Sequence, residues 1–191
     1  DRIVKSPAIF NIEKLAWMNG LYIRNIPQDS LATMLQDILA NSIPEALEQD
    51  SFEPLEFEYI RSIVPLVQDR LRTLNENEVW DLCSFFLIRT LNYQILPPIP
   101  KGLDSNTARI ALTATVETIS FLNPFDIETI ETALRTLADR LELKTSLLFG
   151  AIRLAVTGRT AAPPLFATLE VLGKKRILDR LQLAIKKLAQ E

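Results

Sequence analysis

Histidine is absent from these 191 residues, cysteine occurs once and glycine five times. Without histidine there is no Ser-His-Asp triad, no Cys-His pair, no His-ligated zinc and no His-ligated haem. The lone Cys83 closes no intrachain disulfide and supplies no Cys-rich zinc site. Five scattered glycines form neither GxGxxG nor a GxxxxGKS/T phosphate cradle. No apolar run reaches the roughly 18 residues of a membrane span, and no basic start followed by an apolar stretch suggests a leader. What remains is an ordinary globular balance, 48% hydrophobic, 24% charged and net −3, with enough chain to bury a core. That composition suits a cytoplasmic binding module, and a chain opening on Asp1 is expected to be a piece of something longer.

Charge is spread unevenly. Residues 144–191 carry nine Lys and Arg against three Asp and Glu, a net of +6; residues 1–143 carry twelve against twenty-one, a net of −9. A basic C-terminal quarter on an acidic protein points to a localised anionic partner, unless those side chains only keep helix faces wet.

The apolar spacing is helical. Ile127, Ile130, Leu134, Leu137 and Leu141 recur at three and four after Asn123-Pro124, which reads as a helix start. Ile177, Leu178, Leu181, Ala184, Ile185 and Leu188 do the same, with Lys and Arg on the other side. No period-two run bounded by hairpin turns competes. The chain is therefore predicted to be all-α, with helices over 12–18, 28–40, 54–73, 77–91, 105–122, 126–141, 145–156, 164–172 and 174–189. Pro65 should kink or split the third. The five glycines should mark stops or turns. The Pro- and Gly-containing strip 93–103 is the expected internal boundary.

Acids cluster at Glu53, Glu56 and Glu58 and at Asp126, Glu128 and Glu131. Paired-acid catalysis or hard-metal binding would use such groups, but both clusters fall in predicted first turns, where acids complement the helix dipole. Cys83 lies in an apolar stretch without a basic neighbour, so it reads as core. Trp17, Trp80, Phe85 and Phe86 read as packing residues too.

The segment from Leu154 through Thr157-Gly158-Arg159 to Ala162-Pro163-Pro164-Leu165-Phe166 is more informative. Gly158 ends one helix. Pro163 holds Ala162 extended, and Pro164 suits the first position of the next helix. A stiff loop entering a helix N-terminus, with Arg153, Arg159 and Phe166 nearby, offers amides, guanidinium groups and an aromatic face to an unstacked nucleotide. Lys174, Lys175 and Arg176 follow as candidate phosphate-backbone contacts, together with Arg159.

The opening Lys5-Ser6-Pro7-Ala8-Ile9-Phe10-Asn11-Ile12-Glu13-Lys14-Leu15-Ala16-Trp17-Met18-Asn19-Gly20-Leu21-Tyr22-Ile23-Arg24 resembles a segment of bacterial-type glutamyl-tRNA synthetases, class I enzymes. So do Asp69-Arg70-Leu71-Arg72-Thr73-Leu74, Leu148-Phe149-Gly150 through Arg153, Thr157-Gly158, Pro163-Pro164-Leu165-Phe166 and Leu172-Gly173. These blocks stand in family order and bracket almost the whole chain. The resemblance is to the C-terminal, anticodon-binding half. Of the two ATP-site signatures, one needs histidine and the other a Lys-x-Ser-Lys segment, and neither is here. The resemblance implies that residues 1–25 finish the stem-contact region, and that 26–95 and 96–191 form two consecutive helical subdomains of the anticodon-binding cage type. It implies a tRNA-binding portion of a glutamate–tRNA ligase, itself inactive and without cofactor, whose ATP and Mg bind in a catalytic domain upstream. The expected partner is glutamate tRNA, with no DNA and no membrane, and the expected state is a cytoplasmic monomer. A stand-alone helical RNA-binding or protein-interaction module derived from that domain is the alternative.

Position by position, the resemblance puts Arg70 where discriminating members place the arginine that reads the third anticodon base. Arg153 matches a contact to the first base. Ala162, Pro163, Leu165 and Phe166 match the loop holding the first and middle bases, although relatives often carry Ser or Thr where Ala162 stands. The chemistry of Arg70 is sound on its own terms. Glutamate anticodons end in cytosine, which offers acceptors at O2 and N3; glutamine anticodons end in guanine, which presents N1–H and N2–H. Arginine has only donors, so it matches the first and confronts the second.

Overall fold

The computed structural model describes residues 11–43, 52–91 and 99–190, and every regular element among them is helical. In chain order these are α1 (Ile12–Arg24), α2 (Gln28–Ser42), α3 (Phe57–Val67), a 3-10 turn (Gln68–Arg70), α4 (Glu76–Leu87), α5 (Ser105–Phe121), α6 (Ile127–Arg140), α7 (Thr145–Thr157), α8 (Leu165–Leu172) and α9 (Lys174–Leu188). Residues 5–10 of the opening block and 93–98 of the expected boundary strip lie outside the described residues. Helices α2–α4 pack on one another, α5–α9 do likewise, and α3 lies against α8 to join the groups. One core runs through both, built on Leu31, Leu35, Ile60, Val64 and Phe86 on one side and Leu112, Ile130, Ile152, Leu169 and Leu181 on the other.

Local chemistry explains most helix starts. Asn11, Asn75, Asp104 and Asp126 each accept a hydrogen bond from the amide three residues on, at 2.8–3.0 Å, which satisfies a donor that the helix itself leaves unpaired. Bonds from the Thr107 hydroxyl and amide hold the Asp104 carboxyl below the usual carboxylate range. The amide of Thr129 acts in the same way on Asp126.

Several expectations need correction, and tertiary contact is the usual reason. Gly20 and Gly150 lie inside α1 and α7 rather than ending them. A Cβ on Gly20 would stand 3.4 Å from the Leu71 carbonyl oxygen, and one on Gly150 3.2 Å from the Pro100 side chain. These glycines admit a neighbour instead of stopping a helix. The predicted helix over 54–73 is shorter: α3 starts at Phe57, runs through Pro65 and ends two residues later. Pro164 is the extended cap before α8, not its first residue. The predicted helix over 77–91 stops at Leu87, because Ile88 turns extended and bridges to Phe52. Trp17 is 59% exposed rather than a core residue, whereas Trp80 meets Phe52 in a tilted contact at 6.0 Å and Phe85 and Phe86 are buried. Arg180 lies on the apolar face of α9, only 1% exposed, not on the wet side.

Arg180 belongs to a joint at the end of α4. A helix leaves its last four carbonyls without helical partners, and here each finds one. Ser84 accepts from the Ile88 amide, Leu87 from the Glu53 amide at 2.8 Å, Phe86 from the Tyr59 hydroxyl and Arg176, and Phe85 from Arg180 at 2.7 Å. Arg180 also donates to Ile88 and, at the end of α7, to Val156. Two guanidinium groups one turn apart on α9 therefore neutralise the negative ends of α4 and α7.

Candidate nucleic-acid interface

The loop singled out from sequence is shaped by its ends. Gly158 takes the left-handed conformation, φ +69°, and its amide closes α7 on the Leu154 carbonyl at 2.9 Å. Thr157 Oγ1 donates to the Arg153 carbonyl at 2.7 Å and accepts from the Arg159 amide at 3.1 Å, which fixes the exit of the chain. Pro163 and Leu165 are buried, while Ala162 and Phe166 are half-buried. No side chain caps the N-terminus of α8, so its first amides face whatever approaches the loop. Phe166 meets Phe149 edge-on, centroids 5.2 Å apart and planes at 84°. Arg135 lies 5.7 Å from the Phe149 ring, anchored by Glu131 at 2.6 Å. Arg153 is one turn beyond Phe149 on the same side of α7. Its Nε is buried and finds no hydrogen-bond partner among the described residues.

Arg70 comes to this loop from the other group of helices. Its guanidinium is exposed, and Nη2 donates to the Ala162 carbonyl at 2.8 Å across 92 residues of chain. Its backbone is held from three sides. Buried Gln68 donates through Nε2 to the Ile23 and Ile26 carbonyls, both at 2.9 Å. Leu71 is fully buried and touches Gly20. Glu78, three residues into α4 from Asn75, reaches back to the Arg72 amide at 2.6 Å and to the Thr73 amide and hydroxyl at 3.1 and 2.6 Å. Asn75 caps α4 through the Glu78 amide at 2.9 Å, and the pair is legible as Asn-x-x-Glu, although the Glu78 carboxylate reaches past the cap residue to Arg72 and Thr73. Nothing in the sequence marks Gln68 or Gly20 for its supporting part.

The four candidate backbone contacts are not gathered at this loop. Arg159 turns inward to Ser84 Oγ at 3.2 Å and Asp81 at 3.3 Å, over the Phe85 ring. Arg176, 15% exposed, is committed to Glu53 at 3.0 Å, Tyr59 and Phe86. Lys174 donates to the Leu122 carbonyl at 3.0 Å, and Lys175 is exposed. The last three line a cleft of about 620 Å³ with Glu53, Arg89 and Asp179. That cleft opens at the far end of α8, roughly 12 Å from the loop at 1.5 Å per residue.

The remaining titratable groups explain structure rather than chemistry. Burial pushes the Cys83 thiol up to about 12 against the opposing charge of Arg159. Burial also raises Tyr59 against the pull of Arg176. Glu131 pairs with Arg135, Glu53 with Arg89 and Arg176, and Asp126 caps α6. Among the described residues no three acidic or thiol groups lie close enough to hold a metal ion, and no helix is long and apolar enough to cross a membrane.

Comparison with known proteins places the chain in a family. Residues 30–185 match the family model of the anticodon binding domain. The chain is 41% identical over 189 residues to a glutamate–tRNA ligase of Roseiflexus castenholzii, covering 99% of this chain and 36% of the relative. It is 39% identical to one of Dehalococcoides mccartyi, covering all of this chain and 38% of that protein. It thus spans little more than a third of the curated relatives it matches. A glutamate tRNA ligase from Elizabethkingia meningosepticum, crystallised with its amino acid, superposes with a TM-score of 0.69 at 20% identity, over 94% of this chain and 33% of the other. By the extent of its family match, the chain belongs to the anticodon-binding domain family.

Proposed function

We propose that this chain is the anticodon-reading, C-terminal portion of a glutamate–tRNA ligase, and that its partner is glutamate tRNA. The observation that carries this reading is the hydrogen bond from Arg70 to the Ala162 carbonyl. It places the side chain suited to cytosine beside the loop suited to unstacked bases, although the two are far apart in sequence. Arginine has five N–H donors, and one bond to Ala162 leaves enough for a paired contact to cytosine O2 and N3. Arg153 and the Ala162–Phe166 loop then serve the first and middle bases, through backbone groups where Ala162 lacks a hydroxyl. Lys175, and Lys174 in part, are the cations left for phosphates, whereas Arg159 and Arg176 act inside the protein.

Ligation itself, with its ATP and Mg, is assigned to a further part of the intact protein, and no residue here is given a step in it. Helix α1 supports a longer chain. Ile12, Leu15, Trp17, Met18, Leu21 and Tyr22 are 39–72% exposed on it, and clustered exposed apolar side chains of this kind mark an interaction surface. The test is binding of the chain to a glutamate tRNA transcript across a salt series. Affinity should fall as salt rises and should exceed that for the same transcript ending its anticodon in guanine. Equal affinity for both would overturn the reading.

A further inference from the structure

Helices α3 and α8 pack together and are tied at both ends. At one end Arg70, just after α3, holds the carbonyl of Ala162, just before α8. At the other end Tyr59, in the first turn of α3, meets Arg176, in the first turn of the helix that follows α8. There Nη1 donates to the Tyr59 hydroxyl at 2.6 Å, and the guanidinium lies 5.3 Å from the ring centroid. The pair therefore runs antiparallel between two clasps of unequal strength. The Arg70 clasp is one exposed hydrogen bond. The Arg176 clasp is mostly buried, and it joins the Tyr59 hydroxyl, the Phe86 carbonyl and the Glu53 carboxylate.

We propose that Arg176 is a positioning residue for base selection: from the far end of the α3–α8 pair it fixes how Arg70 meets the Ala162–Phe166 loop. The inference rests on the reading of Arg70 as the base-selecting residue. Its physical basis is leverage. Helix α3 has 11 residues and is roughly 16 Å long at 1.5 Å per residue, so a tilt of about 4° at Tyr59 displaces the Arg70 end by ~1 Å. The Arg70–Ala162 bond measures 2.8 Å, and a donor displaced by that amount no longer makes it. The planar guanidinium fork then turns freely. It loses the fixed orientation on which discrimination between two bases depends, while its charge stays close enough for unselective attraction.

The experiment is competition binding of the 191-residue chain to two anticodon stem-loop RNAs that differ only in cytosine or guanine at the third anticodon position. Arg176→Met removes the clasp and keeps an apolar stem. Tyr59→Phe removes only the bridging hydroxyl and decides the matter if the first variant fails to fold. Ile119→Val, in the core of α5, controls for general loss of stability. The preference for cytosine should fall about three- to tenfold in Arg176→Met, the scale of one hydrogen bond, and in the same direction but less in Tyr59→Phe. The Ile119→Val ratio should match wild type, because destabilisation alone lowers affinity for both RNAs together. A wild-type ratio in whichever clasp variants fold overturns the inference while leaving the proposed function standing. A wild-type chain that does not distinguish the RNAs overturns the function, and this inference with it.

Discussion

Replacing Arg180 by methionine should be the most damaging single change to the fold outside the apolar core. Methionine keeps the length and apolar stem of the side chain, so the cavity term is small and the effect isolates the guanidinium. That group donates to the carbonyls of Phe85, Ile88 and Val156. Phe85 is 2% exposed and Val156 fully buried, so water cannot readily replace the lost donor. Each buried acceptor left unpaired costs ~1–3 kcal/mol, and three of them cost roughly 3–9 kcal/mol, a large share of the 5–15 kcal/mol typical of a whole domain. For a chain of this size that corresponds to a loss of roughly 6–36 °C in melting temperature. Urea and thermal unfolding followed by circular dichroism measure it, with an unchanged urea slope showing that the denatured state is not what moved. A loss under about 1 kcal/mol would refute the reasoning, since the joint between α4, α7 and α9 would then be held by apolar packing alone.

Other consequences are simpler to test. Cys83, buried and with its thiol pushed up to about 12, should resist alkylation at pH 8 in the folded chain and react promptly in urea; modification at equal rates in both would contradict its burial. Asp126→Ala should lower the melting temperature at pH 7. The bonds from Thr129 depress the folded pKa of Asp126, so its contribution is present above the unfolded value of about 3.9 and fades as pH falls through the folded one, and the two melting curves should draw together as pH falls. Lys175→Ala should reduce the salt slope of RNA binding by about one unit or less and leave the cytosine preference unchanged, because a phosphate contact carries no base information.

The helices were legible in the sequence because spacing and caps are local properties. Asn75, Asp104 and Asp126 begin helices for reasons contained within a few residues of each. The helix ends without a local signature are those decided elsewhere in the chain. Gly20 reads as a stop until the Leu71 carbonyl is placed against it, and Leu87 ends α4 because Ile88 turns extended to meet Phe52 and its carbonyl finds a partner in Arg180 on α9. Arg180 carries a signal of its burial in the sequence. It stands three residues after Ile177 and four before Ala184, on the apolar stripe, where a charged side chain must be buried and paired. Arg176 and Arg159 carried no such mark, since an inward-turned arginine and a wet one look alike in sequence. The individual loop residues could be picked out from Gly158 and the Pro-Pro pair, but the meeting of Arg70 with Ala162 could not. It depends on α3 packing against α8, a contact between segments with no local signature.

The most direct test of the account is the Arg70→Gln variant, assayed by competition between a glutamate tRNA and the same tRNA with guanine at the third anticodon position. Glutamine supplies both a donor and an acceptor, so it can satisfy either base where arginine satisfies one. With a paired base contact worth roughly 1–3 kcal/mol of discrimination, the cytosine preference should narrow about ten- to a hundred-fold while affinity for the glutamate tRNA falls much less. An unchanged preference would mean that Arg70 serves only to hold the Ala162 loop, and a uniform loss for both tRNAs would make it a phosphate contact; either result contradicts the account.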